Sequence, residues 1–343
     1  MQSKHPLITV GIVVLNRDWI IDKMLTSLQN QTYPHNKIFV LLVDGESQDN
    51  TVKTAKQILE KASFNGHQII IKKSNIPEAR NICIKNMKGS LLFFWDSDII
   101  MGPNALENMV TLALEKGAEI LTTKTTFIYA NTNEEANKEI NQALSSQTNT
   151  NKKPLEEVTA TAMGSTLITK KVLDIIQFDP DLTSLEDYDF SAKARKSNIK
   201  IFANHAVQAF DINLWTQWYS DIHIDMPLKT ALKGLKKKAE VNVLACGPKM
   251  TFTKATRFFL TNKRYLFYLG YIPSLIISVY GVLANNYASF TFPIYLVFFM
   301  IWQTKKRGIK KGVNATIKSI VVGLPFSLLL IFYFTKNASK KQS

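Results

Sequence analysis

Cysteine is scarce in this sequence, and acidic residues nearly vanish from its last third. The two cysteines, Cys83 and Cys246, are far apart. Two thiols build neither a disulfide framework nor a zinc site, and the expected state is a reduced pair in a cytosol-facing chain. Met1–Pro6 carries no apolar signal segment, and Leu7–Leu15 is too short for one. No repeat at a solenoid period is present. Of the 27 Asp and Glu residues, only Glu240 lies beyond Pro227, although 19 of the 42 Lys and Arg residues do. The net charge of +15 is thus concentrated where the chain is most apolar. Basic residues flanking apolar runs mark membrane insertion with the basic side in the cytoplasm, and they attract anionic headgroups. A nucleic-acid-binding stripe does not alternate with such runs, so no nucleic-acid partner is expected.

What is present, up to about residue 210, is alternation. Leu7–Val14 reads as a buried strand, and Trp19–Asn30 has helical spacing with Ile20, Met24, Leu25 and Leu28 on one face. Ile38–Val43, Gln68–Ile71, Ser90–Trp95 and Glu119–Thr123 read as further strands. Helices are expected from Asp49, a good cap, to about Ala62, over Ile76–Asn86 and over Asn104–Lys116. The fold class is therefore α/β, a mostly parallel sheet with helices on both faces. Ala130–Lys153 is polar, a helix-containing excursion or a lid. After it, Ala162–Thr169 reads as a strand and Glu186–Ser197 as a helix. Lys200–Ala203 and Val207–Phe210 read as two closing strands.

The tail changes character. In Pro227–Cys246, lysines 229, 233, 236, 237 and 238 alternate with Leu228, Leu232, Leu235 and Val241, an amphipathic basic helix suited to a membrane surface. Leu266–Ala284, Tyr287–Trp302 and Ile317–Phe334 are apolar runs of membrane-spanning character, the second shorter and interrupted by Pro293. The basic loop Lys305–Lys311, with Lys263 and Arg264, places the cytoplasmic side. The expected divisions are 1–225 for a catalytic domain, 226–262 for an interfacial segment and 263–336 for two to three membrane helices.

The chemistry concentrates at strand ends. Ser90–Trp95 stops at Asp96-Ser97-Asp98. Residues i and i+2 of an extended chain share a face, so both carboxylates can address one cation in the crevice at the sheet's carboxyl edge. Hard oxygens suit Mg²⁺ or Mn²⁺, which bridge protein carboxylates to phosphates. Asp44, at the end of the second strand, can accept from a base or ribose, and Gly45 gives a tight turn.

Val13–Asn16, the Asp44–Thr51 stretch, Glu78-Ala79-Arg80-Asn81, Leu91–Asp98, Gly164-Ser165 and Leu185–Phe190 occur in the order found in glycosyltransferase family 2. Over about Leu7–Phe210 the chain resembles that family, whose fold is GT-A, Rossmann-like. The resemblance implies an inverting transfer from a UDP- or GDP-linked sugar with Mn²⁺ or Mg²⁺. It implies donor contacts from Leu15 or Asn16, Asp44, Glu46, Arg80 and Asp96. Asp98 would bind metal with Asp96, and His205 is the nearest match to a later histidine ligand. Asp187 would be the catalytic base and Glu186 would orient acceptor or base. A helix ion pair with Glu78 is the other reading of Arg80, and helix-dipole stabilisation the other reading of the Glu186–Asp187 pair.

The pattern departs from the family at Leu15-Asn16-Arg17-Asp18 and at Gly45, where a second aspartate is common. No Q-x-x-R-W motif accompanies Trp215 and Trp218, which disfavours a processive, product-extruding polymerase. The expectation is a multi-pass membrane enzyme with its catalytic domain in the cytoplasm, acting on a lipid or lipid-linked saccharide. Two alternatives are a non-catalytic membrane scaffold and a sugar-phosphate nucleotidyltransferase; the latter calls for a glycine-rich N-terminal loop, and Val14–Trp19 has no glycine.

Overall fold

Runs of β-branched and aromatic residues form the centre of the molecule's sheet, and each stops where charge or glycine begins. The computed structural model describes residues 5–130, 132–145, 155–182, 185–214, 268–307 and 309–338, with positions 236, 239 and 266. The chain forms two units, Met1–Tyr219 and Ser220–Ser343.

In the first unit, strands β1 (Ile8–Val14), β2 (Ile38–Asp44), β3 (Gly66–Ile71) and β4 (Leu91–Trp95) are mutually parallel, in the order β3-β2-β1-β4. Every residue of β2 and β4 is buried, as expected of strands covered on both faces. Helix α1 (Ile21–Gln29) buries Met24, Leu25 and Leu28, one stripe at helical spacing. Helices α2 (Thr51–Leu59) and α4 (Ala105–Lys116) lie close to their expected bounds, and Gly117 closes α4 at φ 63°.

The expectation of a mostly parallel sheet is corrected beyond β4. Strand β8 (Ser165–Thr169) is antiparallel to both β4 and β6 (Ile120–Ala130), while β5 (Ile99–Met101) and β7 (Leu155–Val158) are antiparallel to β9 (Ile201–Leu214). Among the described residues there, β6 and β9 are the pair that runs in parallel. The reversal has a local cause. Thr166 Oγ1 donates to the Ala162 carbonyl at 2.8 Å, turning the chain, and the Asp96 amide donates to the Gly164 carbonyl at 2.8 Å. The two closing strands read from sequence are one strand. Thr123 pairs with Asn204 but Lys124 with Gln208, so His205–Val207 form a bulge that mimics a strand break. The polar excursion contains helix α5 (Asn133–Ser145), and α6 is Lys170–Ile175.

Helix α3 (Ile76–Asn86) shows why its first turn reads Glu78-Ala79-Arg80-Asn81. Glu78 closes a capping box with Asn75, so it does not pair with Arg80. Ala79 is buried. Asn81 Nδ2 donates to the Phe178 carbonyl at 2.8 Å, and the Phe178 amide donates to Asn81 Oδ1 at 3.0 Å. One side chain thus replaces a strand partner for a buried segment. Cys83 faces Gly11, where a Cβ would stand 3.3 Å from its sulfur, and burial pushes its thiol up to about 12. It is a packing residue. Helix α7 (Glu186–Lys196) follows Leu185, which is left-handed at φ 69°.

The second unit includes α8 (Tyr271–Leu283), α9 (Thr291–Arg307), α10 (Ile309–Lys318) and α11 (Leu324–Ala338), with a π-helical turn at Ser319–Gly323. Among the described residues, one helical stretch, Ala315–Tyr333, is long and apolar enough to cross a membrane. Tyr271–Leu283 and Tyr287–Trp302 are shorter apolar helices, so one described helix, against an expected two to three, has spanning length. Asn285, left-handed at φ 49°, and Asn286, which caps the 3-10 turn at Tyr287–Phe290, bound them. A Cβ at Gly281 would meet the Ser289 amide at 2.0 Å, so this corner packs backbone on backbone. The basic segment Pro227–Cys246 lies outside the described residues save 236 and 239.

Asn81→Ala would strand the Phe178 amide and carbonyl out of water. An unmet buried group costs about 1–3 kcal/mol, so the urea midpoint should fall by that equivalent at unchanged slope.

Candidate active site

The carboxyl ends of β1, β2 and β4 open onto a cavity of about 380 Å³, lined among others by Leu15, Arg17, Gly45, Arg80, Asp96 and Asp98. The parallel register puts Val14 opposite Asp44, and the Gly45 amide donates to the Val14 carbonyl at 2.9 Å. This is the crevice at which open α/β sheets bind ligands.

Arg80 organises the acidic side. Its residue surface is 3% exposed. One Nη2 meets Asp96 Oδ2 at 3.2 Å and Glu186 Oε1 at 3.8 Å, and the guanidinium lies 5.2 Å from the Phe94 ring centroid and 5.8 Å from that of Phe178. Burial alone would lower its pKa, but Asp96, Glu186 and Asp187 raise it further, so it remains charged. Arg80 therefore joins the end of β4 to the start of α7. Gly164 makes room for Asp96, since a Cβ there would stand 2.3 Å from Asp96 Oδ2.

Asp187 follows Glu186 in the first turn of α7, and its Oδ1 accepts from the Tyr188 amide. Burial, with Glu186 adding repulsion, pushes its carboxyl up to about 6. Asp189, two residues on, is buried and pairs with Lys193 at 2.7 Å.

On the other side of the crevice, Arg17 Nε approaches Asp98 Oδ2 at 3.5 Å. Asp98 is raised above the ordinary carboxylate range, chiefly by burial; Arg17 opposes the shift and Asp96 adds to it. Sequence reading did not anticipate Asp211. It lies on β9 opposite Ile99, and the Ile212 amide donates to the Asp98 carbonyl at 3.0 Å. Burial, then repulsion from Asp98, pushes Asp211 up to about 7, and Asn213 Nδ2 donates to its Oδ1 at 2.7 Å. The signal was an acid directly after the apolar Val207–Phe210 run.

His205, the expected third ligand, sits in the β9 bulge with Nε2 2.6 Å from Glu156 Oε2. The β9 side chain beside Asp98 is Asp211, six residues on. Asp44 is fully buried, and Ser47 donates to both its oxygens, from its hydroxyl at 2.5 Å and its amide at 2.8 Å. It shapes the loop after β2. Asn16 and Glu46 are exposed and left-handed, at φ 51° and 71°. Asn16 Oδ1 accepts from the Gln48 amide at 2.8 Å, lacing the β1 and β2 ends together. Leu15 stands 48% exposed at the cavity. Among the described residues, no three His, Cys, Asp or Glu side chains stand close enough to hold an ion jointly. Ionised together, Asp98 and Asp211 would carry more negative charge than one arginine balances, and their oxygens are of the kind that Mg²⁺ or Mn²⁺ takes.

Residues 9–175 match the family model described as Glycosyl transferase family 2. That match spans just under half of the chain. The archaeal glycosyltransferase AglE of Haloferax volcanii is 32% identical over 133 residues, 38% of this chain and 43% of AglE. A poly(ribitol-phosphate) β-N-acetylglucosaminyltransferase, TarS of Staphylococcus aureus, is 24% identical over 116 residues, 34% of this chain and 20% of that protein. The chain thus spans less than half the length of these curated relatives. The S. aureus TarS 1–349 crystal structure in complex with UDP superposes with a TM-score of 0.51 at 16% identity, over 96% of this chain and 91% of that one. The structure of GalNAc-T7 with UDP, GalNAc and Mn²⁺ superposes at 0.50 and 15% identity, over 69% and 47% of the chains. At these identities the likeness shows the fold, and the match to the family model runs from β1 to α6.

Asp98, Asp187 and Asp211 hold protons above the ordinary aspartate value of about 3.9. The folded state therefore binds more protons than the unfolded state from about pH 4 upward, until each group titrates. The stability these groups contribute is complete below that window and is lost as pH rises through about 6 for Asp187 and about 7 for Asp211. In EDTA, the urea midpoint should fall between pH 5 and pH 8, and Asp211→Asn should flatten that fall.

Proposed function

We propose that the protein is an inverting glycosyltransferase that moves a sugar from a nucleoside diphosphate sugar to an acceptor hydroxyl at the cytoplasmic face of a membrane. The observation that carries this reading is that Asp96 and Asp98 line the open cavity while Arg80 ties Asp96 to the helix start that bears Asp187, a carboxylate poised near neutrality, in a chain that matches the family 2 model over residues 9–175.

In this reading the nucleoside lies in the cavity against Leu15 and Gly45, with Asn16, Asp44 and Glu46 shaping the loop behind it. Asp96 meets the donor's ribose or sugar, held in place by Arg80 from below. Asp98, with Asp96, would hold Mg²⁺ or Mn²⁺, and Asp211 beside Asp98 would add to the negative potential there. That ion, when bound, neutralises the departing diphosphate. Asp187 takes the proton of the acceptor hydroxyl as that oxygen bonds to the anomeric carbon and the bond to the phosphate oxygen breaks. One displacement inverts the centre, so a single carboxylate base suffices. Glu186, tied to Arg80, keeps the base facing the reacting atoms.

The second unit supports the membrane part. Val282, Leu283, Tyr287 and Ile294 are 67%, 82%, 91% and 64% exposed, and Ala315–Tyr333 is of spanning length. Apolar surface of this extent calls for lipid or another apolar partner. The basic residues of the tail then favour an anionic cytoplasmic leaflet. A lipid or lipid-linked saccharide is the acceptor that such attachment would serve best.

The test is transfer of label from UDP- and GDP-sugars to a membrane lipid extract, by the full chain in detergent with Mn²⁺. The wild type should label a lipid-phase product. Asp187→Asn should lower turnover by about 10²–10⁴-fold, the span of a general base. In the wild type, kcat/KM should fall as pH drops below about 6, because protonated Asp187 cannot accept. No sugar transfer to any lipid fraction would overturn the acceptor assignment, and an unaffected Asp187→Asn variant would overturn the base.

A further inference from the structure

Arg17 is held in two different ways. Its backbone is fixed: the amide donates to Thr51 Oγ1 at 2.7 Å, and the carbonyl accepts from the Ile20 and Ile21 amides at 3.0 and 2.9 Å. Its side chain is held loosely. Nη1 reaches the Leu15 and Asn16 carbonyls only at 3.4 Å each, and Nε lies 3.5 Å from Asp98 Oδ2. That Nε is out of contact with water and has no hydrogen-bond partner. A well-made guanidinium–carboxylate fork closes to about 2.7–2.9 Å with two parallel bonds, and this contact is neither short nor bidentate. The arm is therefore attracted to Asp98 mainly by charge, on an anchored backbone.

The position matters because of what else is there. Arg80, the other arginine of the crevice, is committed to Asp96 and Glu186. Arg17 is left to balance Asp98, with Asp211 behind it. It also lines the same cavity as Asp96 and Asp98. A divalent ion and a guanidinium cannot share one carboxylate oxygen without strong mutual repulsion.

We propose that Arg17 is a resident counter-cation, which a divalent ion must displace from Asp98 and which then pairs with the phosphate of the incoming nucleotide. This rests on the reading of Asp98 as a metal ligand. The consequence is obligatory coupling. A metal ion alone has to expel Arg17 into a cavity whose other carboxylate, Asp96, is already paired with Arg80. A metal ion arriving with a nucleoside diphosphate brings the anion that the freed arm needs. Each ligand then tightens the other by the same factor, as linkage requires. The acids also stay neutralised between turnovers, when product has left.

The experiment measures Mn²⁺ binding by calorimetry and by the Mn²⁺ electron paramagnetic resonance signal, on the full chain in detergent, with and without UDP or GDP. In the wild type, Mn²⁺ alone should bind weakly and tighten at least 10-fold when the preferred nucleotide is present. Arg17→Gln removes the competing charge, so Mn²⁺ alone should bind at least 5-fold more tightly than in the wild type. In the same variant, nucleotide should bind more weakly and the coupling factor should shrink. Arg17→Lys, which keeps the charge, should restore weak binding of the ion alone. A variant that had merely lost structure would not gain affinity for an ion. If wild-type Mn²⁺ binding is nucleotide-dependent but Arg17→Gln leaves binding of the ion alone unchanged or weaker, the role of Arg17 is overturned and the metal site stands. If Mn²⁺ binds none of these proteins, with or without nucleotide, the metal reading falls and takes this inference with it.

Discussion

A buried guanidinium must have acids, and the first unit is arranged to supply them to Arg80. Removing one partner of a buried ion pair costs about 3–5 kcal/mol, since the survivor is left uncompensated in a poor solvent. Arg80 has two close carboxylate partners, Asp96 at a strand end and Glu186 at a helix start ninety residues later. Satisfying it therefore fixes where β4 stops relative to where α7 begins. Phe94 and Phe178 flank the guanidinium, and Phe178 is itself pinned by Asn81, the next residue of Arg80's own helix. The structural anchor and the proposed catalytic geometry share one set of contacts: Arg80 pairs with Asp96, which lines the cavity, and with Glu186, next to Asp187.

The same constraint divides the charges of the crevice. Arg80 is spent on Asp96 and Glu186, which leaves Asp98 and Asp211 to Arg17 alone among the cations that act on them. Two acids facing one loosely held arginine cannot both be ionised cheaply, and they hold protons instead. A surplus of carboxylate at a strand end is costly in a protein that only has to fold. It becomes reasonable where a dication and a diphosphate are to be received together, because the total then approaches neutrality.

The β1–α4 half was legible because its signals are local. Fully apolar runs bounded by charge gave β1, β2 and β4, and helical spacing gave α1 and α3 to within a residue or two. Asp96 and Asp98 stood out because two acids directly end the β4 run. The later half was less legible because its order is set by distant pairings. Strand β5 has three residues, too few for any periodicity, and it exists because β9 runs alongside it. The β9 bulge looked like a gap between two strands; the family resemblance pointed to His205 within it and did not point to Asp211 beyond it. A histidine is conspicuous in a sequence, but only register shows which residue of a long strand comes beside Asp98. Asp44 misled in the opposite sense. Its placement at a strand end was right, but its oxygens are occupied by Ser47 three residues on, a turn that a strand-end rule does not foresee.

Among the described residues of the first unit, four non-glycine residues are left-handed: Asn16, Glu46 and Leu185, each at the end of an element that borders the crevice, and Asn198, just past the far end of α7. For Asn16 the cost is small, because an amide side chain tolerates that region and here bonds locally. Leu185 has no such compensation, and a left-handed conformation costs it roughly 1–2 kcal/mol. A relaxed residue there would turn the first turn of α7 and carry Glu186 away from Arg80. The buried ion pair is worth more than the strain, so the strained backbone is the one that persists. The unfavourable φ at Leu185 is thus the local consequence of the buried arginine that the rest of the site depends on, and it lies one residue before the acid pair that the proposed reaction uses.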